Sequence, residues 1–303
     1  MSSPHPLVHG PDPLKRAQRQ QRAALIAVAI GAGVTLGLVG VLVPQQRRQQ
    51  AVDQSPLMIK PPVMDWLEDA VQEPAEQTAL TPAPPSSRKW VSPLLKACPV
   101  ADPVLQQRLV SMPLQLRRIQ ADPSNYGERT MVDAHGQRID PTPAVIVLHE
   151  TVYSLGSAVN TFTTPHPNDN DQASYHTLVG QKGEIVQVVD PSKRAYGAGH
   201  SAFDGRWVFT SKHFSGSINN FALHVSLETP ADGMGLGQGH SGYSPAQYDA
   251  LSRVIADWLV RYHIEPRAVT THRYVDQGGA RSDPRSFDWR ELQKRLTALG
   301  LVC

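Results

Sequence analysis

The longest hydrophobic feature of the chain is an unbroken run of apolar and small residues from Ala23 to Val43, with Thr35 its only polar member. A run of about 20 such residues is long enough to cross a bilayer as a helix. After it the pattern turns polar. The stretch 45–89 is rich in Gln, Pro, Glu and Ser, and Pro82, Pro84 and Pro85 beside Ser86 and Ser87 read as an extended spacer. Within it, Met64 to Val71 has the pattern of a short amphipathic helix. From about Trp90 the alternation becomes that of a folded domain. Ala144 to Leu148 is a short β-rich apolar run that suits a buried strand, and Thr151 to Phe162 suits a helix just after it. Tyr175 to Val179 and Glu184 to Val189 read as two strands joined through Gln181-Lys182-Gly183, a hairpin signal. Phe221 to Leu227 is another strand. Pro245 to Tyr262 sets Leu251, Val254, Ile255, Trp258 and Leu259 at helical spacing, and Ser244 followed by Pro245 makes a good N-cap and first-turn pair. Ala268 to Thr271 is a last strand and Trp289 to Leu299 a final helix.

Strands interleaved with helices predict an α/β fold: a mixed central β-sheet flanked by helices on both faces, preceded by one transmembrane helix and a linker. The expected division is a basic N-terminus over 1–22, a membrane anchor over 23–43, a Pro/Gln-rich linker over 44–89 and a folded domain over 90–303. No internal repeat is visible.

Charge orients the anchor. Lys15, Arg16, Arg19 and Arg22 precede the apolar run, whereas only Arg47 and Arg48 follow it closely. The positive-inside bias leaves the N-terminus in the cytoplasm and exports everything after Val43, to the periplasm or the cell exterior. A cleaved signal peptide is the rival reading. It would need a small-x-small cleavage site, and the run instead ends Gly-Val-Leu-Val-Pro-Gln-Gln and exceeds a usual signal core. The net charge of +2 over 303 residues argues against a nucleic-acid binder, which would show a clustered basic face. Two cysteines, Cys98 and Cys303, cannot build a zinc ribbon or a disulfide-dense scaffold. They bracket the folded domain. In an exported domain one disulfide between them is an option, and two unrelated thiols is the other.

Three side chains at strand ends carry candidate chemistry. His149 directly follows Ala144–Leu148, His272 directly follows Ala268–Thr271, and Asp283 lies in a short irregular loop after His272. Strand ends let side chains converge above a sheet that holds them still. Two neutral imidazoles and one carboxylate leave the fourth position of a tetrahedral zinc site open for water. Taken alone, His149 is more readily a packed structural residue than a ligand, and it lies far in sequence from the other two.

About half the chain, from Val145 to Leu296, resembles the type-2 N-acetylmuramoyl-L-alanine amidases, whose fold is shared with peptidoglycan-recognition proteins. The matching pieces are Val-Leu-His-Glu-Thr at 147–151, Ser-Tyr-His-Thr-Leu-Val-Gly at 174–180, Gly-Glu-Ile-Val-Gln at 183–187 and Arg-Ala-Tyr-Gly-Ala-Gly at 194–199. To these add Thr271-His272 and Arg281-Ser-Asp-Pro284 ahead of Phe287-Asp-Trp289. The resemblance implies that His149, His272 and Asp283 ligate Zn²⁺, and that the substrate is peptidoglycan or a muropeptide. It implies that Tyr175 lies near the activated water, where its hydroxyl would donate to a developing oxyanion. Arg281 stands where the amidases usually carry Lys; it keeps the charge with a different donor geometry.

Two departures stand out. The family's Ser-Ile-Gly-Ile-Glu-Leu strand matches Ala222-Leu-His-Val-Ser-Leu, so Ser226 falls where a catalytic Glu is expected. By strand alternation His224, Ser226 and Glu228 share a face, and Glu228, about 7 Å further on, is the candidate replacement base if the strand bulges. Glu150 is a second candidate that should point away from the His149 face. Gly197 stands where relatives often have His, and His200 is the candidate to compensate. The expected activity is zinc-dependent hydrolysis of the amide between N-acetylmuramic acid and L-alanine. The alternatives are a non-catalytic peptidoglycan-binding module, favoured by Ser226, or an amidase acting on a different amide.

Overall fold

The structure is a computed structural model that describes residues 80–86, 89–95, 100–235 and 237–302. The expected anchor at 23–43, most of the linker and both cysteines lie outside the described residues. Among the described residues no helix is long and apolar enough to cross a membrane.

The elements run in the order α1 (Pro103–Ser111), β1 (Leu116–Arg118), β2 (Tyr126–Glu128), β3 (Val145–Glu150), α2 (Leu155–Thr163), β4 (Thr177–Val179), β5 (Ile185–Gln187), β6 (Lys193–Ala195), β7 (Ala222–Leu227), α3 (Pro245–Arg261), β8 (Val269–Thr271), α4 (His272–Val275) and α5 (Trp289–Ala298). A six-stranded sheet is ordered β1-β5-β4-β7-β3-β8, and β2 pairs with β6 in a separate two-stranded ribbon. Only the β4–β5 hairpin is antiparallel in the large sheet. Its turn closes with the Gly183 amide donating to Gly180 O, and Gly183 sits at φ +85°, where a residue with a Cβ is strained.

Among the described residues, each strand and long helix expected from the pattern is present, with bounds shifted by up to about four residues. Ser244 caps α3 through a complete capping box, its hydroxyl accepting from the Gln247 amide while Gln247 Oε1 accepts from the Ser244 amide. The elements that the pattern did not announce are short or polar: α1, started by Asp102 accepting from the Val104 and Leu105 amides, and the strands β1, β2 and β6.

Alternation along β3 divides the core. Ile146 and Leu148 point to the face that packs with Leu223, Val225, Val269, Leu251, Ile255, Trp258, Leu292 and Leu296, so α3 and α5 cover that side. Val145 and Val147 point the other way, among Ala222, Ile218, Phe221, Phe203 and Val275. Beyond them on this second face Leu178 and Val186 meet Phe162 of α2. One face is therefore sealed by two long helices. The other is covered by a short helix and by the loops between β6 and β7, which leaves room for a cleft. The expected mixed sheet with helices on both faces is what these contacts describe.

Candidate functional site

His149 is the fifth residue of β3, on the loop-covered face, and β3 pairs with β8 through Leu148 and Thr271. That pairing sets His272, the first residue of α4, beside the end of β3. Asp283 comes from the irregular segment between α4 and α5. Asp276 organises this segment: its carboxylate accepts from the amides of Gly278, Ala280 and Arg281. The Arg273 amide then donates to Asp283 O at 2.9 Å.

The result is convergence. His149 Nδ1 lies 3.2 Å from Asp283 Oδ2, and His272 Nδ1 lies 3.1 Å from Asp283 Oδ1. The imidazole rings of His149 and His272 are 4.6 Å apart, edge to face. One atom from each of the three residues falls within 4.8 Å of the others, and this is the only such metal-competent group among the described residues. Two donors each about 2.0–2.1 Å from a tetrahedral zinc are about 3.3 Å apart, so these separations suit one shared ion. Both rings present the same nitrogen, Nδ1, to the carboxylate, as two ligands of a common centre would.

The protonation states fit as well. Burial pushes the His149 imidazole down to about 4, against the pull of Asp283, so the ring is neutral near pH 7. Burial alone would raise the Asp283 carboxyl, but hydrogen bonds to His149 and His272 outweigh it and hold the group ionised, well below the usual carboxylate range. Neutral imidazole and ionised carboxylate are the forms that bind a divalent cation.

The triad stands against a cleft of about 880 Å³ whose lining includes His272, Asp283, Tyr175, Arg281, Arg194 and Tyr196. Tyr175 stacks on His149 with ring centres 4.3 Å apart. Burial first, and then the Asp283 charge, push its phenol well above the usual range, so it stays a proton donor. Arg281 is exposed at the rim, its backbone amide tied to Asp276.

Glu228 is not brought to this group. β7 ends at Leu227, and beyond it the Glu228 carboxylate turns to two backbone amides: Leu155 at the start of α2 donates to Oε1 at 2.8 Å, and Gln181 in the hairpin turn donates to Oε2 at 2.9 Å. Strand alternation stops applying where the strand stops, and the unpaired amides of a helix start and a tight turn are stronger claimants. Glu228 braces these two segments, and it is not among the residues that line the cleft. Glu150 does point away from His149. It is buried and accepts from Arg285, Tyr243 and His240. Arg285 in turn donates to Gly237 O at 2.6 Å and Gly233 O at 2.7 Å, so the residue two positions after Asp283 is anchored on both sides.

Ser226 lies on the His149 face, register-paired with it, and its buried hydroxyl meets no partner among the described residues. The space beside Gly197 belongs to His224, not to His200. A Cβ on Gly197 would lie 2.5 Å from His224 Nδ1, whereas His200 is exposed and faces Trp207. Two contributors escaped the sequence reading: the Glu150–Arg285 pair, whose members lie 135 positions apart, and Asp276. The only local signal was Asp276 ahead of Gln277-Gly278-Gly279, a turn-forming composition.

Residues 139–286 match the family model described as N-acetylmuramoyl-L-alanine amidase. The N-acetylmuramoyl-L-alanine amidase AmiD of Escherichia coli (strain K12) is 27% identical over 188 residues, covering 56% of this chain and 62% of AmiD. The 1,6-anhydro-N-acetylmuramyl-L-alanine amidase AmpD of Citrobacter freundii is 29% identical over 126 residues, covering 42% and 58%. The chain thus spans about three fifths of the length of these curated relatives. Among solved structures, a Se-Met derivative of AmpD aligns with 63% of this chain and 100% of its own at 25% identity and a TM-score of 0.46. AmiD from E. coli in complex with anhydro-N-acetylmuramic acid-L-Ala-D-gamma-Glu-L-Lys aligns with 59% and 67% at 24% identity and a TM-score of 0.42. The matched segment carries His149, His272 and Asp283, and through it the chain is similar to the N-acetylmuramoyl-L-alanine amidases.

Proposed function

We propose that this chain is a zinc-dependent amidase that hydrolyses the amide between N-acetylmuramic acid and L-alanine, in peptidoglycan or in muropeptides released from it. The observation that carries the reading is the approach of two imidazole Nδ1 atoms to one carboxylate, 3.1 and 3.2 Å away, at the edge of a polar cleft. His149, His272 and Asp283 would hold the ion. When bound, zinc supplies a Lewis acid for the carbonyl and brings the pKa of water towards neutrality.

The chain's own residues supply the rest. The cleft wall, with Asp169, Asn170, Gln172, Arg194 and Asn219, offers donors and acceptors for a sugar–peptide conjugate. Tyr175, kept protonated beside His149, donates to the oxygen of the scissile carbonyl as negative charge builds there. Arg281 at the rim adds positive charge to that side. Water adds to the carbonyl carbon, the carbon–nitrogen bond breaks, and the L-alanine nitrogen departs as an amine after taking a proton. The leader and the apolar run at 23–43 support a cytoplasmic-membrane anchor with the amidase domain exported, where it would meet wall material.

The competing reading, a binding module, is favoured by one observation: Ser226 occupies the expected position of a base, and Glu228 is committed elsewhere. Incubating the full-length chain with purified peptidoglycan and with muropeptides separates the two. The amidase reading expects new L-alanine amino ends by mass spectrometry, lost with chelator and restored by zinc. Muropeptide binding with no new amino ends, in zinc-loaded protein, would establish the binder instead.

A further inference from the structure

His149 makes a second buried contact that the metal centre does not account for. Its Nε2 lies 2.9 Å from Nδ1 of His224, and both side chains are fully buried. A hydrogen bond at this distance puts one proton between the two nitrogens. If His149 Nε2 holds it, His149 Nδ1 is bare towards Asp283 and His272. If His224 Nδ1 holds it, His149 carries its proton on Nδ1, and that nitrogen cannot accept an ion.

The surroundings hold His224 in this contact. Its ring occupies the space over Gly197, where a Cβ would come within 2.5 Å of Nδ1. Gly197 does not adopt a positive φ, so its missing side chain matters for space and not for backbone conformation. On the far side the His176 ring stacks on His224, 5.8 Å between centres and 3° between planes. The His224 amide donates to His176 Nδ1 at 2.9 Å, and His176 Nε2 faces Lys193 O at 3.2 Å. The other ring nitrogen of His224, Nε2, is buried and meets no partner among the described residues. A histidine placed for fold stability alone would be expected to satisfy both nitrogens.

We propose that His224 is a positioning residue for the metal centre: its Nδ1 accepts the His149 Nε2 proton and so fixes His149 in the tautomer that offers Nδ1 to the ion. This rests on the assignment of His149 as a ligand. Gly197 is the complementary half of the device, small so that the His224 ring can lie where it does.

The test measures zinc affinity of the full-length chain by competition with a chromophoric chelator, alongside the thermal midpoint of the metal-free protein. His224→Leu keeps bulk but removes the acceptor, and zinc should bind about 10–100-fold more weakly, the usual cost of losing such an outer partner. His224→Asn, whose Oδ1 can stand in for Nδ1, should restore most of that loss. Neither should lower the metal-free midpoint appreciably, since His224→Leu also removes a buried polar atom without a partner. Gly197→Ala, which displaces the ring from the opposite side, should weaken zinc in the same direction and decides the matter if His224→Leu does not fold. Imidazole ¹⁵N spectra of the zinc-loaded protein should show His149 protonated at Nε2. Wild-type affinity in folded His224→Leu or in Gly197→Ala overturns the inference. A wild-type chain that takes up no zinc overturns the metal reading itself, and the inference with it.

Discussion

Tyr175 and Glu228 are both candidates for chemistry by sequence, and their surroundings differ. Tyr175 lies on the His149 ring at the cleft, its phenol held protonated by burial and by the Asp283 charge. Removing one oxyanion donor typically costs about 10²–10³ in kcat. Tyr175→Phe should therefore lower kcat by about 10²-fold while zinc content stays at the wild-type level; unchanged kcat would remove Tyr175 from the mechanism. Glu228 spends its carboxylate on the Leu155 and Gln181 amides. Hydrogen bonds to a charged group contribute about 1.5–3 kcal/mol, so Glu228→Gln should lower unfolding free energy by up to about that amount and leave kcat within a few-fold. A collapse of kcat in a fully folded Glu228→Gln protein would return Glu228 to the role of base. Strand alternation puts Glu228 on the His149 face only if the strand runs on through it, and β7 ends at Leu227. Where β7 ends was not written in Ala222–Leu227, because the stop is set by the neighbouring turn and helix start.

At the scale of elements, the site depends on how the 276–288 segment is held. Asp276 ties its beginning and the Glu150–Arg285 pair ties its end. Both members of that pair are nearly inaccessible, with side chains 4% and 5% exposed, and breaking a buried pair by removing one partner typically costs about 3–5 kcal/mol. Arg285→Met should destabilise the chain by about that much and loosen Asp283, so zinc affinity should fall although no ligand has changed. Urea unfolding and chelator competition on the same samples check both halves; a destabilised protein with wild-type zinc affinity would show that the segment needs no anchor. The long periodic elements were legible, because β3, β7, α3 and α5 bury regular apolar faces. The strands β1, β2 and β6 were not: Leu116-Arg117-Arg118 and Lys193-Arg194-Ala195 are largely polar, and they pair through backbone without an apolar stripe. The grouping of His149, His272 and Asp283 was legible only because their places after β3 and β8 and the family pattern pointed to the same three residues. The contact between His149 and His224 was invisible, since it depends on Gly197 leaving space from a third segment.

At the scale of the whole molecule, the loop-covered face of the sheet carries a row of buried imidazoles. Burial pushes His149 down to about 4 and His176 down to about 3, and holds His224 well below the ordinary value. In the unfolded chain each returns to about 6.5, so below that pH the unfolded state binds more protons than the native one. Metal-free stability should thus be greatest above about pH 6.5 and fall as pH drops towards 4. Each ring contributes a slope of up to about 1.4 kcal/mol per pH unit. Asp283, held low in the fold, loses its contribution only below the ordinary carboxylate range and does not shape this window. Urea midpoints at pH 7 and pH 5 should differ clearly, the lower pH being the less stable; equal midpoints would mean that these imidazoles are not held neutral by the fold.

Three side chains from distant parts of the chain are proposed to share one ion. Anomalous diffraction at the zinc edge, on crystals of the zinc-loaded protein, tests it directly. One peak should appear within about 2.0–2.1 Å of His149 Nδ1, His272 Nδ1 and a carboxylate oxygen of Asp283, and it should vanish in His272→Ala. A loaded crystal with zinc bound elsewhere, or with no ion at this triad, would contradict the account.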